Sequence, residues 1–571
     1  MRPSKSVLAA LLLLGACATS GLEQRAGPSV ERESVPRYQQ IELAISVDHP
    51  VANPDAEPIE ASFVAPSGKT LAVEGFAKAN GFAVRFAPSE LGAYHYEIRD
   101  RGELLRSGVL ESLPSDDPGF LHRSQADPHA LAFDDGARFQ MLGENRINIY
   151  DPTWNYQGMK MPEYIAYMAA HGMNTLRVFI FSDCRVSAVL KPGRLGCLEP
   201  RVGHFDPKIA AQFDEIFDAA EKHGVYVILT AFAIGFTPGD VWKGWEGNPY
   251  AAVNGGPAKS NLDFFNDAQA RNDEAHRLRY LLARWGGSSH LLAIDILNEP
   301  EWNGPIPEPV WIPWVEDMAK RWRSADPYRH LVTAGSVGFQ YNFGGENESS
   351  WYASPQNDIV QWHLYGKETY EVHALAETMT RRVEETWGYD KPVLVGEFAY
   401  GGEDKQTYDH THVGIWSSTF AGAGVLAHSA PPFSIDSDEP MTPERAAHFA
   451  TLAGFLKRLD LRAPLEPHHN KGTQSTPGVW WLSRGDYAAV WLLAPTQGYG
   501  APYASPPLAA PSLERGLYQV TWYNDVTGAV VRTDELRVDA AAPSLVPPKF
   551  VRHLAGIVAP APMRQARTPH R

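Results

Sequence analysis

The sequence predicts an α/β protein: a (β/α)8 TIM barrel flanked by N-terminal and C-terminal β-sandwich domains. Three observations carry this. Over 116–465, eight short apolar runs are interleaved with amphipathic stretches, the pattern of repeated strand–helix units. On either side, over 39–115 and 470–571, apolar and polar residues alternate at period two in short runs broken by turn residues. Two of the central apolar runs end in a glutamate, Glu299 and Glu397. A carboxylate where a buried strand emerges is costly unless it has partners or a task. An open doubly wound sheet would need a phosphate-binding Gly-rich turn after an early strand, and none is present.

The elements follow in order. Arg2 and Lys5 precede an apolar run, 7–14, too short to span a bilayer. It ends in Leu14-Gly15-Ala16-Cys17, which resembles the bacterial lipoprotein processing box. The resemblance implies a signal peptide over 1–17, lipidation of Cys17 and a membrane-anchored place in the bacterial cell envelope; a plain secretory signal is the alternative. Residues 18–38 are polar and read as a tether. The runs 41–47, 82–86 and 94–98 alternate and are separated by Asn80-Gly81 and Leu91-Gly92, which gives the first sandwich.

Barrel strands are expected over 139–144, 174–181, 225–230, 291–297, 330–334, 358–363, 391–397 and 424–427. Helices are expected between them, over 161–171, 206–223, 266–285, 314–324, 371–387, 413–421 and 443–459. Gly172 and Gly224 mark two of the helix ends. After 470 the strands 478–482, 487–493 and 518–523 give the second β-domain, for which packing against the barrel or carbohydrate binding are the two readings.

Composition narrows the function. With 571 residues the chain suggests two to four domains, and 44% hydrophobic content supports a large core. A net charge of −16 argues against a nucleic-acid footprint, which needs a basic patch. Besides Cys17, only Cys184 and Cys197 are present; in an oxidising compartment they can close one local disulfide, and two free thiols are the alternative. No His/Cys/Asp cluster stands at metal-ligand spacing, so neither a metal nor a cofactor is expected.

In a barrel the C-terminal strand ends meet at one mouth. Glu299 ends the fourth strand and Glu397 the seventh, so two carboxyls are expected to face each other there. Such a pair can cleave a glycosidic bond. These motifs resemble the 4/7 barrels of clan A glycoside hydrolases, most of all family 5. Asn298-Glu299-Pro300 is similar to the acid/base motif and Gly396-Glu397-Phe398 to the nucleophile strand. His363-Leu364-Tyr365 is similar to the His-x-Tyr after strand six, and Asn174-Thr175-Leu176-Arg177 to the Arg of strand two.

The resemblance implies that Glu299 is the acid/base and Glu397 the nucleophile. It implies that Arg177 and Tyr365 hold Glu397 while Asn298 and His363 bind sugar. The substrate would be a β-linked polysaccharide cleaved with retention. The segment 82–96 resembles an N-terminal sandwich of unknown function attached to such barrels. Two positions depart from the family: Thr230-Ala231-Phe232 stands where a His often follows strand three, and Ala427-His428-Ser429 where a Trp usually ends strand eight. His428 is then a sugar hydrogen-bonding candidate, and Trp154, Trp242, Trp245 and Trp302 are candidate sugar platforms in mouth loops. The alternatives are an inactive carbohydrate-binding lipoprotein on the same scaffold and a transglycosylase.

Overall fold

The computed structural model describes residues 31–47, 59–78, 81–146, 156–180, 197–233, 244–300, 306–336, 349–366, 371–400, 404–428, 441–539 and 543–561. Cys17, Cys184, Trp154, Trp242 and Trp302 lie outside them.

The barrel strands are β1 (Leu142–Arg146), β2 (Thr175–Phe179), β3 (Tyr226–Phe232), β4 (Leu291–Asn298), β5 (Leu331–Gly335), β6 (Val360–Gly366), β7 (Val393–Tyr400) and β8 (Gly424–His428). They pair in parallel in the order β5-β4-β3-β2-β1-β8-β7-β6. The ring closes between β5 and β6 through a parallel bridge from Ser336 to Trp362, where the His363 amide donates to the Ser336 carbonyl at 3.0 Å. The helices include α1 (Met161–Ala170), α2 (Pro207–His223), α3 (Ala268–Trp285), α4 (Glu308–Ala325), α5 (Ser349–Ala353), α6 (Val372–Trp387), α7 (Asp409–Phe420) and α8 (Pro443–Leu456), with a short turn of helix, Asn261–Asn266, ahead of α3.

Local chemistry accounts for the boundaries. Asp206 caps α2 by accepting from the amides of Lys208 and Ile209, and Gly224 ends it in the left-handed region at φ 68°. Asp206→Ala is therefore expected to lower stability by about 1 kcal/mol, read as an earlier urea midpoint at unchanged slope. The fourth helix starts at Glu308 rather than at Trp314. Pro313 lies inside it, and the helix tolerates this proline although proline ordinarily reads as a start signal.

The first barrel strand begins at Leu142, not at Phe139. Phe139 belongs instead to a three-stranded antiparallel sheet made by Leu121–Arg123, Leu131–Phe133 and Arg138–Phe139. Leu121 and Leu131 from this sheet pack with Tyr226, Leu292, Leu331, Ile359 and Leu394. Those residues stand at or beside the starts of five barrel strands, so the small sheet closes the barrel's lower end.

The N-terminal domain has a five-stranded and a three-stranded sheet. Their shared core includes Phe63 stacked on Phe86 at 3.8 Å. The polar tether expected over 18–38 stops short. Glu31–Pro36 is an edge strand paired in parallel with Glu103–Leu113. The C-terminal domain is a six-stranded sheet with a two-stranded ribbon. Its strand Gly478–Arg484 is buried on both faces. Trp480 and Leu482 join the barrel core, while Val479 and Trp481 join a separate core under the ribbon. The sheet therefore packs against the barrel.

Five buried side chains tie this sheet to α7 and α8. His412 Nε2 lies 3.2 Å and His553 Nδ1 2.7 Å from the two oxygens of Asp525. His553 Nε2 reaches Asp409 at 3.2 Å, and His412 Nδ1 meets His448 Nδ1 at 2.9 Å. The His412 and His553 rings stack at 3.8 Å. No sequence spacing announces this cluster, because its members come from two domains.

Candidate active site

Arg177 sits in the middle of β2 and is wholly buried. Asn145 of β1 pairs in register with Arg177 on one side and with His428 of β8 on the other. Thr230 of β3 is in register with Asp295 of β4, and His363 of β6 with Glu397 of β7. Thus one layer of the barrel gathers all of these side chains. Register shifts fall between Trp362 and His363, between Val395 and Phe398, and between Asp295 and Asn298. Such irregularities re-aim side chains at barrel rims.

Glu299 leaves the end of β4 with φ 44°, in the left-handed region that non-glycine residues rarely adopt. Its amide donates to the Gly335 carbonyl at 2.9 Å, which holds the turn. Gly335 itself has no room for a side chain: a Cβ there would meet Gln361 at 2.5 Å and His363 at 2.9 Å.

Each carboxylate has its own partners. Arg177 Nη1 donates to Glu397 Oε1 at 2.6 Å, and the Tyr365 hydroxyl donates to Oε2. Both oxygens of Glu397 therefore accept, which is the pattern of an ionised carboxylate. Glu299 Oε1 lies 2.5 Å from His363 Nδ1, and the same nitrogen is 3.8 Å from Glu397. Oxygens of Glu299 and Glu397 lie within 4.8 Å of one another.

Burial pushes the Glu299 carboxyl up to about 7 and Asp295 adds to the rise, against the pull of Arg177 and a hydrogen bond from Asn298. Burial and the surrounding cations lower His428 to about 3, so its ring is neutral. Its Nδ1 accepts from the Asn145 side-chain amide at 2.9 Å and lies 3.8 Å from Glu397. The pair can therefore offer one proton donor and one nucleophile at neutral pH.

The fold brings together Glu299, Glu397, Arg177, Asn298, His363, Tyr365 and His428. Trp245 is different: it is 8% exposed and belongs to the core, so it is not a platform at the mouth. Cys197 is buried and disulfide-bonded. Three residues escaped the sequence reading. Asn145 Oδ1 accepts from Arg177 at 2.8 Å, Asp295 Oδ2 accepts from Arg177 Nη2 at 2.5 Å, and Gln361 lies beneath His363. Asp295 alone left a signal, as an acid inside an otherwise apolar strand.

Known proteins resemble this chain in sequence and in fold. A mannan endo-1,4-β-mannosidase of Oryza sativa subsp. japonica is 26% identical over 266 residues, covering 40% of this chain and 56% of the relative. One from Arabidopsis thaliana is 24% identical over 274 residues, covering 42% and 59%. The chain thus spans about half the length of the curated relatives it matches. A protein of known crystal structure from Bacteroides vulgatus superposes with a TM-score of 0.65 at 16% identity, covering 92% of this chain and 99% of that one. Residues 34–101 match a domain of unknown function, DUF5060. Residues 135–426, half of the chain and the whole run of barrel strands but the last two positions of β8, match the cellulase family, and the chain belongs to that family, glycosyl hydrolase family 5.

Proposed function

We propose that the protein is a retaining glycoside hydrolase that cleaves β-glycosidic bonds in a polysaccharide by double displacement. The observation that carries this is the pair Glu299 and Glu397, with oxygens within 4.8 Å of one another and opposite hydrogen-bonding surroundings. Retaining enzymes hold their carboxyls about 5–5.5 Å apart, and inverting ones leave room for a water at about 6.5–9.5 Å.

In the first step a Glu397 oxygen bonds to the anomeric carbon. The bond to the leaving oxygen breaks, and that oxygen takes the Glu299 proton. In the second step Glu299 takes a proton from water, whose oxygen displaces Glu397 from the same carbon. Asn298, His363 and His428 surround the position of the sugar in this reading. His428 supplies a hydrogen-bonding edge where an indole would offer a stacking face. Trp242 and Trp302 remain proposed sugar platforms.

The relatives named as mannan endo-1,4-β-mannosidases make β-1,4-mannan the first substrate to test. The purified protein is expected to cleave at least one member of a panel of β-glycans led by mannan. The first sugar released should have the β configuration by ¹H NMR. An α product would overturn double displacement; binding without cleavage across the panel would favour a carbohydrate-binding role. A lipid-anchored place in the envelope, through Cys17, is proposed from the Leu14-Gly15-Ala16-Cys17 box alone.

A further inference from the structure

We propose that Asp295 is a positioning residue: it takes the larger share of the Arg177 guanidinium, leaves Glu397 one hydrogen bond from it, and adds its charge to the burial that opposes ionisation of Glu299. The proposal rests on the double-displacement reading for its catalytic consequence, but not for its electrostatics.

Asp295 is wholly buried below the two glutamates, three residues before Asn298 on the same strand. Its Oδ2 accepts from Arg177 Nε at 2.9 Å, from Arg177 Nη2 at 2.5 Å and from the Thr230 hydroxyl at 3.0 Å. Gln361 Nε2 stands 3.4 Å from the same oxygen, and the Gly335 amide donates to Oδ1 at 3.2 Å. Asp295 therefore holds two nitrogens of the guanidinium. Glu397 holds one, Nη1, which it shares with Asn145.

This division has a chemical meaning. A guanidinium fork turned fully onto Glu397 would make two parallel bonds and stabilise its charge strongly. A carboxylate so stabilised is a weaker nucleophile. With Asp295 in place the layer carries two carboxylates and one guanidinium, a net charge of −1 before Glu299 ionises. A further negative charge at Glu299 then meets repulsion in a buried setting. The groups facing Glu299 are His363 from β6, Arg177 from β2, Asp295 and Asn298 from its own strand, and Glu397 from β7.

Asp295→Asn keeps the shape and removes the charge. Glu299 should then titrate about one unit lower. The direct readout is a ¹³C NMR titration of glutamate carboxyls, with the Glu299 signal assigned by its loss in Glu299→Gln. This readout needs no substrate. In kinetics, the alkaline limb of kcat/KM should move to lower pH by the same amount, and kcat on an activated aryl glycoside should fall while KM stays near wild type. Thr230→Val is the control, because it removes one bond to Asp295 and no charge; its Glu299 midpoint should stay with the wild type.

An unchanged Glu299 midpoint in Asp295→Asn, or an equal shift in Thr230→Val, would overturn the proposal. Should Asp295→Asn fail to fold, Asp295→Glu keeps the charge, and it should keep the Glu299 midpoint; a midpoint that drops there overturns the proposal as well. A wild type that cleaves no glycan would end the hydrolase reading, while the titration would still decide the role of Asp295.

Discussion

Glu397→Ala is expected to abolish turnover of every substrate, whereas Glu299→Ala should lose activity in proportion to the quality of the leaving group. Attack at the anomeric carbon is needed whatever departs. Protonation is needed mainly when the departing oxygen is a poor leaving group, and a positioned general acid contributes about 10²–10⁴-fold. Glu299→Ala should therefore still form the glycosyl-enzyme from an activated aryl glycoside. Added azide should release it as the β-glycosyl azide, because a small anion needs no base. Glu397→Ala with azide should give the α-glycosyl azide by a single direct displacement. The surroundings support this division: Glu397 accepts from Arg177 and Tyr365, while burial raises Glu299 to about 7. Product anomers read by NMR decide it, and identical azide products from both variants would overturn the assignment.

Asp525→Asn should cost the fold about 3–5 kcal/mol at neutral pH, the scale for breaking a buried ion pair by removing one partner. Asp525 is the hub between the C-terminal sheet and the barrel. It accepts from Trp491 at 2.8 Å and contacts both His412 and His553. Burial would depress His553, but Asp525 and Asp409 outweigh it and raise the ring from 6.5 to about 9. A raised histidine contributes stability that is complete below its unfolded value and is lost as pH climbs through the folded one. The wild type should therefore lose stability between about pH 6.5 and 9. Burial holds His412 down near 4 instead, so its contribution is lost as pH falls from 6.5 toward 4. Urea unfolding across pH should show both arms in the wild type. The alkaline arm should flatten in Asp525→Asn, and an alkaline slope equal to that of the wild type would show that Asp525 does not charge His553.

Much of the site was legible because its residues stand where apolar strands stop. Glu299 and Glu397 interrupt runs that otherwise want burial, and the barrel arithmetic then puts them at one mouth. Arg177, His363 and Tyr365 were visible through a motif. Asn145 and Gln361 were not, since an amide within a strand carries no spacing of its own and gains its meaning from neighbours in register. Trp245 could not be separated from a mouth tryptophan, because an indole suits a core and a sugar equally well. The edge strand Glu31–Pro36 was hidden by its polarity: it covers little, so it needs no alternating apolar face. The histidine cluster brings together His412 and Asp525, residues 113 apart, and only the packed sheet makes them neighbours.

The sandwich at the front of the chain looks like a detachable module, yet its core is completed from outside. Tyr328 of the barrel faces the Phe86 ring at 6.3 Å, and its oxygen accepts from the Ala87 amide at 3.1 Å. Arg85 reaches back to Asp214 at 2.9 Å. A recombinant chimera joined at residue 115 would inherit a sandwich with a missing ring and a barrel with a stranded tyrosine. Exchanging the sandwich for another is thus expected to require exchanging the seam residues with it, because barrel and sandwich share one packed boundary.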